Sequence, residues 1–231
     1  MALDGSLIAR QIRLRAARQP FATLCTLTSG ETTLVEMADV EGHALSSEIA
    51  ARLRSGKSGI EVLDDREIFV EISLPSPRLV LIGAVHISQA LAPMAQACGL
   101  DVLVVDPRTA FATAERFAGV EVLADWPQDV EERVAFDPFT ACAALTHDPK
   151  IDDFPLTRAL ESDCFYVGAL GSRRTHAKRV DRLAEAGLQR EQLERIHAPI
   201  GLDIGAASPA EIAVAVVAEI IASLRMAPSA P

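Results

Sequence analysis

Leu79-Val80-Leu81-Ile82-Gly83-Ala84-Val85-His86-Ile87-Ser88 is four consecutive apolar residues, a glycine turn and the opening of a helical pattern from His86. A strand that is apolar on both sides of its pleat is buried on both faces, as in a parallel sheet sandwiched between helices. The rhythm recurs at Val102-Leu103-Val104-Val105, Val120-Glu121-Val122-Leu123, Ala141-Cys142-Ala143-Ala144-Leu145 and Phe165-Tyr166-Val167, with turn residues and helix-like stretches between. This alternation predicts an α/β fold with a Rossmann-like, doubly wound parallel sheet over residues 78–225. In such folds ligands bind where the strands end, at the carboxyl edge.

Upstream the pattern differs. Residues 7–17 read as a helix, 21–27 and 32–37 as two strands joined through Ser29-Gly30, and about 46–53 as a second helix ended by Ser55-Gly56. Two further strands, 60–63 and 67–72, turn at Asp64-Asp65-Arg66. Residues 1–75 are therefore expected to form a small α+β N-terminal domain. Pro75-Ser76-Pro77 has the composition of a linker, because each proline lacks the amide a central strand needs. Near the other end, Ser208-Pro209-Ala210-Glu211 combines an N-cap serine, a proline at the first helical position and a capping-box glutamate. Residues 226–231, rich in Ala, Pro and Ser, are expected to be a flexible tail.

The chain has 231 residues, 49% of them apolar, which is ample for a buried core, and a net charge of −10. That charge argues against nucleic acid or an anionic membrane surface as a general partner. The most apolar run, 212–221, carries Glu219 and is shorter than the ~20 residues a bilayer span needs. Arg10, Arg13, Arg15 and Arg18 lie near the start without the apolar core of a secretory signal, so a cytoplasmic location is expected. Cys25, Cys98, Cys142 and Cys164 have no metal-like spacing and read as reduced thiols, with no metal site expected.

Four constellations could hold a ligand. Gly83-Ala84-Val85-His86 stands where a dinucleotide fingerprint would, but only its first glycine is present; Val85 narrows the backbone approach and Ser88 replaces the third glycine. Asp106, some 20 residues on, could accept from a ribose diol or be an ordinary strand-end aspartate before Pro107, and Arg108 could meet a phosphate or be solvated. Gly168-Ala169-Leu170-Gly171-Ser172-Arg173-Arg174 opens a helix that also carries His176, Lys178 and Arg179. Free amides, the positive dipole end and paired arginines favour an anion site there over a capped, solvated face. Thr146-His147-Asp148-Pro149-Lys150 offers a titratable pair and a cation, with a plain turn as the alternative for Asp148 and Pro149. Gly201-Leu202-Asp203-Ile204-Gly205 sets an acid between two glycines, where Asp203 could meet ligand N–H groups, pair with Arg173 or Arg174, or cap local amides. Cys164 lies just before the strand leading to the basic turn and reads as packing rather than sulfur chemistry.

At these residues the chain resembles the XdhC/CoxI family, the maturation factors for xanthine dehydrogenase and related molybdenum hydroxylases such as aerobic carbon monoxide dehydrogenase. The resemblance covers about 78–225. It is carried by Gly83-Ala84-Val85-His86, Val105-Asp106-Pro107-Arg108, Thr146-His147-Asp148-Pro149-Lys150, Gly168 with Gly171-Ser172-Arg173-Arg174, and His197-Ala198-Pro199-Ile200-Gly201-Leu202-Asp203-Ile204-Gly205. It implies a non-catalytic carrier that binds the molybdenum cofactor (molybdopterin, as mononucleotide or dinucleotide) and inserts it into the large subunit of an apo molybdenum hydroxylase. A homodimer and a cysteine desulfurase partner are further implications. The implied cofactor-binding residues are Gly83, Ala84, Val85, His86, Asp106, Arg108, His147, Asp148, Lys150, Gly168, Gly171, Ser172, Arg173, Arg174, Gly201, Asp203 and Gly205. Two departures stand out: Val85 replaces a glycine of the family's first turn, and its Gly-Gly-Cys-Val-Glu stretch does not occur in the first 75 residues. The competing expectations are an NAD(P)-dependent oxidoreductase, with Asp106 on ribose and His147 as proton donor, and a nucleotide-sensing regulatory module.

Overall fold

A computed structural model describes residues 5–226. Within them the chain divides into two compact units, 5–75 and 76–226. The first holds α1 (Gly5–Ala16), β1 (Phe21–Thr26), β2 (Thr32–Glu36), a 3₁₀ turn (Met37–Asp39), α2 (Ser46–Ser55), β3 (Gly59–Leu63) and β4 (Arg66–Ser73). Its four strands form an antiparallel sheet in the order β2-β1-β4-β3. Alternate residues Ala22, Leu24, Ile68 and Val70 turn to one face and bury Val35 and Ile49 with them, the period-two pattern of a half-buried sheet. Asp64 and Asp65 both take left-handed geometry, so the hairpin turn has two residues; Arg66, expected in the turn, already pairs with Leu63.

The second unit runs β5 (Arg78–Ile82), α3 (His86–Ala97), β6 (Asp101–Val105), β7 (Glu121–Leu123), α4 (Glu131–Val134), β8 (Thr140–Ala144), α5 (Pro149–Glu161), β9 (Tyr166–Ala169), α6 (Arg173–Glu185), α7 (Arg190–Leu193), β10 (Ile196–His197) and α8 (Pro209–Met226). All six strands are parallel, in the order β10-β9-β8-β5-β6-β7. This is the doubly wound Rossmann order, as expected, and the chain reverses direction across the sheet between β5 and β8. Leu79, Leu81, Val104 and Ala143 face α3 and α8, while Val80, Ile82, Val105 and Ala144 face α5 and α6. Every one is essentially solvent-free, which explains the continuous apolar runs.

The one-turn helices α4 and α7 and the two-residue strand β10 have no counterpart in the sequence pattern, because a periodic signal needs more residues than each supplies. The start of α8 follows its signal: Glu211 accepts from the amides of Ala207 and Ser208 at 2.8 Å each, and Ser208 Oγ accepts from the Glu211 amide. Among the described residues no helix is long and apolar enough to cross a membrane. Met226 closes α8, and residues 227–231 of the expected tail lie outside the described residues.

Candidate functional site

At the reversal point the glycine turn is closed by the protein itself. Gly83 has φ +113°, and a Cβ there would sit 2.6 Å from the Thr146 methyl carbon, so only glycine lets the β5 and β8 loops approach. Ser88, fully buried where the fingerprint has its third glycine, donates to the Gly83 carbonyl. Val85 stands at the N-cap of α3 with no side-chain hydrogen bond and packs on the core. Asp106 is completely buried. Its Oδ2 accepts from the Ala84 amide at 2.7 Å and from Arg108 Nη2, and its Oδ1 from Arg108 N and Nε. Those four donors fill the lone-pair sites of a carboxylate, so neither the ribose-acceptor reading nor a pterin contact finds a free oxygen here. Burial pushes the Asp106 carboxyl up, but the Arg108 side chain and the two amides outweigh it and hold it below the usual carboxylate range.

Beside it, Asp152 organises the loop after β8. Its side chain is 1% exposed; Oδ1 accepts from the Thr146 hydroxyl at 2.7 Å and Oδ2 from the His147 amide at 3.0 Å. Thr146 Oγ1 in turn accepts from the Asp148 amide, and Asp148 caps α5 by accepting from the Lys150 amide ahead of Pro149. His147 is thereby held in left-handed geometry, φ +65°. Across from it Ser172 caps α6 through the Thr175 amide. Gly171, φ +139°, adjoins both: a Cβ there would press on Thr175 at 3.3 Å and be in ordinary contact with His147 Nδ1 at 3.6 Å.

Between α5 and α6 lies a cleft of about 290 Å³ lined by His147, Pro149, Asp152, Asp153, Arg174, Thr175, Lys178, Arg179 and Arg182. Arg182 is neutralised by a two-pronged bond to Asp153 at 2.7 and 3.0 Å. Arg174 and Lys178 are exposed and have no acidic partner among the described residues. Arg179 is 2% exposed and donates from Nη2 to the Leu170 carbonyl. Desolvation lifts the Asp152 carboxyl above its ordinary value despite the Thr146 bond and the Arg179 charge. Asp148 and Asp152 also act electrostatically on Arg108, which places that arginine's field at the same edge.

The third loop belongs elsewhere. A Cβ on Gly201 would meet the α8 backbone at 3.1 Å, and the Leu202 amide donates to the Ala215 carbonyl. Asp203 is exposed and joined by no ion pair to Arg173 or Arg174, since its loop is anchored to α8 while α6 packs on the opposite face of the sheet. Gly168 has a packing role, because a Cβ there would lie 2.7 Å from Ile200 Cδ1. Beneath the loop Glu219 accepts from the Tyr166 hydroxyl at 2.6 Å and the Gly201 amide at 2.8 Å, with its other oxygen 3.2 Å from His197 Nδ1.

Of the residues singled out from sequence, His147 and Arg174 line the cleft and Gly171 adjoins it; Arg173, Asp148 and Lys150 do not line it, and Gly205 stands in open space. Asp152, Lys178 and Arg179 line it without having been singled out as site residues. A signal existed: Asp152 shares a helical stripe with Pro155, Leu156 and Ala159, and Arg179 one with His176, Val180 and Leu183, so both put a charge on an inward face. Cys164 is buried among apolar side chains, and burial pushes its thiol up to about 12, a packing role rather than a nucleophile's.

Residues 79–220 match the family model described as the XdhC Rossmann domain. The chain is 34% identical over 174 residues to YqeB of Escherichia coli strain K12, covering 70% of this chain and 30% of that protein. It is 34% identical over 155 residues to a probable xanthine dehydrogenase subunit of Bacillus subtilis strain 168, covering 67% and 45%. It is also 34% identical over 152 residues to the molybdenum cofactor insertion chaperone PaoD of Escherichia coli strain K12, covering 66% and 41%. The chain thus spans less than half the length of the curated relatives it matches. A crystal structure described as a xanthine dehydrogenase from Bacillus halodurans shares the fold, with a TM-score of 0.64 and 23% identity over 99% of this chain and 68% of that one.

Proposed function

Because the chain belongs to the XdhC family, we propose that it is a molybdenum cofactor carrier and insertion chaperone serving an apo molybdenum hydroxylase. What supports this above all is the cleft between α5 and α6, where Arg174, Lys178 and Arg179 outnumber the acids not already paired with a base. The cofactor is a phosphate-bearing anion with a polar heterocycle, and a cation-rich recess at the carboxyl edge of a Rossmann sheet suits such a ligand. A volume of about 290 Å³ is at the small end of ligand sites and suits one end of the molecule, leaving the remainder accessible for hand-over. The cofactor supplies the metal chemistry of the recipient enzyme; the residues of this chain bind, orient and release it. Asp106, saturated by four protein donors, weighs against a hydride-transferring dinucleotide enzyme.

The test is retention. The purified chain, incubated with freshly released molybdenum cofactor and filtered free of excess, is expected to keep near-stoichiometric molybdenum and pterin but neither NAD nor NADP. Arg174→Ala is expected to weaken retention about 10- to 100-fold, the loss of one or two charge-assisted bonds, while Arg173→Ala, outside the cleft, leaves it unchanged. Clear dinucleotide binding with no cofactor retention would overturn the reading.

A further inference from the structure

Among the described residues three buried side-chain atoms lack any hydrogen-bond partner: His176 Nδ1, Arg179 Nε and Arg179 Nη1. All three belong to α6, two of them to a guanidinium that lines the cleft. Arg179 makes no ion pair with Asp152, whose hydrogen bonds run instead to Thr146 and His147. A buried guanidinium with two idle donor nitrogens is costly, and a fold otherwise thrifty with buried polar atoms retains such a group where something else completes it.

We propose that Arg179 is the anchor of an anion subsite at the base of the cleft and that the group it takes is a doubly charged phosphate monoester. The geometry asks for an acceptor with more than one oxygen: Nη2 spends one of its two N–H groups on Leu170, and the other lies beside either Nε or Nη1, both idle, so one two-pronged edge of the guanidinium remains. The charge asks for a dianion. Arg182 and Asp153 cancel, leaving Arg174, Lys178 and Arg179 against Asp152, an excess of two positive charges. A phosphate monoester carries about −1.5 to −2 at neutral pH, whereas a carboxylate or a phosphodiester carries one charge and would leave the recess unbalanced. His176 stands beside the guanidinium, and burial together with the Arg179 charge keeps it neutral, so it adds no further cation. That the phosphate is the one on the pterin cofactor rests on the carrier reading above; the phosphate subsite itself does not.

Two arms separate the claims. In the first, inorganic phosphate is titrated into the full chain and the unfolding temperature and binding heat are followed, with acetate as the singly charged control. The wild type is expected to be stabilised by phosphate and not by acetate. Arg179→Gln is expected to lose phosphate binding by about 30-fold or more, and Arg179→Lys, which keeps the charge but not the fork, by at least about 10-fold. If Arg179→Gln does not fold, Arg179→Lys decides. Phosphate affinity in a folded Arg179 variant equal to that of the wild type, or no phosphate binding by the wild type, overturns the subsite. In the second arm the same proteins are loaded with released molybdenum cofactor. Retention lost with the Arg179 changes supports the assignment of the subsite to the cofactor's phosphate, whereas equal retention by wild type and variants overturns that assignment and leaves the carrier reading standing. Phosphate bound through Arg179 with no cofactor retained leaves the anchor standing and overturns the carrier.

Discussion

Gly83→Ala is expected to destabilise the Rossmann unit by about 3–5 kcal/mol and to lower its melting temperature by about 10 °C. Two costs add. At φ +113° an alanine is strained by about 1–3 kcal/mol wherever it stands. Its methyl would also lie 2.6 Å from the Thr146 methyl carbon, closer than real Cβ atoms come. Thr146 cannot rotate away cheaply, because its hydroxyl donates to Asp152 and accepts from the Asp148 amide. The clash therefore drives apart the loops after β5 and β8 and disturbs the cleft held by Asp152. Gly99→Ala is the control: φ is +83°, but nothing lies within 4 Å, so only the strain remains. Melting curves for the two variants that differ by less than about 1 kcal/mol would refute the close-approach account.

The glycine was legible in the sequence as the turn of a Rossmann unit, but its reason was not. The fingerprint assigns such glycines to a ligand's approach, whereas here Gly83 yields to Thr146, Gly168 to Ile200 and Gly201 to α8. A glycine in a sequence reports that something comes close, and only the fold says whether that is a ligand or another part of the chain. The longer strands, the major helices and the cap at Ser208 were legible because each is written in local chemistry, whereas Asp148, read as part of a turn, and Ser172, read first as part of an anion site, prove to be caps as well. Strand order, and with it the placing of Asp203 away from Arg174, depends on crossovers that no local pattern encodes.

The site was only half legible for a related reason. Motif reading favours residues near glycines and turns, and so it found His147 and Arg174. The residues that organise the edge are three charges inside helices: Asp152 in α5, Arg179 in α6 and Glu219 in α8, each on a face otherwise used for packing. An inward charge must either be matched within the protein or await a partner. Asp152 is matched by Thr146 and His147, and Glu219 by Tyr166, Gly201 and His197; Arg179 is matched once and left with two donors idle. That difference separates the scaffolding charges from the one that can bind.

Glu219 as scaffold leads to the second large effect, Glu219→Ala, expected to cost about 3–5 kcal/mol. The change removes the acceptor of the Tyr166 hydroxyl, whose residue is 1% exposed, and of the Gly201 amide, leaving two donors stranded near the core at about 1–3 kcal/mol each, besides the cavity. Tyr166→Phe combined with Glu219→Ala is expected to cost less than the sum of the separate changes, because one stranded donor is gone. The loop over residues 198–205 is expected to exchange its amide protons faster in Glu219→Ala, since the Gly201 tie to α8 is lost and only that from Leu202 to Ala215 remains. Acid adds a signature of its own. Burial alone would raise the Glu219 carboxyl, but His197, Tyr166 and the Gly201 amide hold it below its ordinary value near 4.5. A carboxyl depressed by folding contributes stability at pH values above its unfolded pKa and loses it as the pH falls through the folded one. Wild-type stability is therefore expected to decline below about pH 5 more steeply than that of Glu219→Ala, which lacks this contribution at any pH. Parallel acid profiles for the two proteins, or a Glu219→Ala chain that melts within about 1 kcal/mol of the wild type, would show that the loop is held by packing and the Leu202 bond without Glu219.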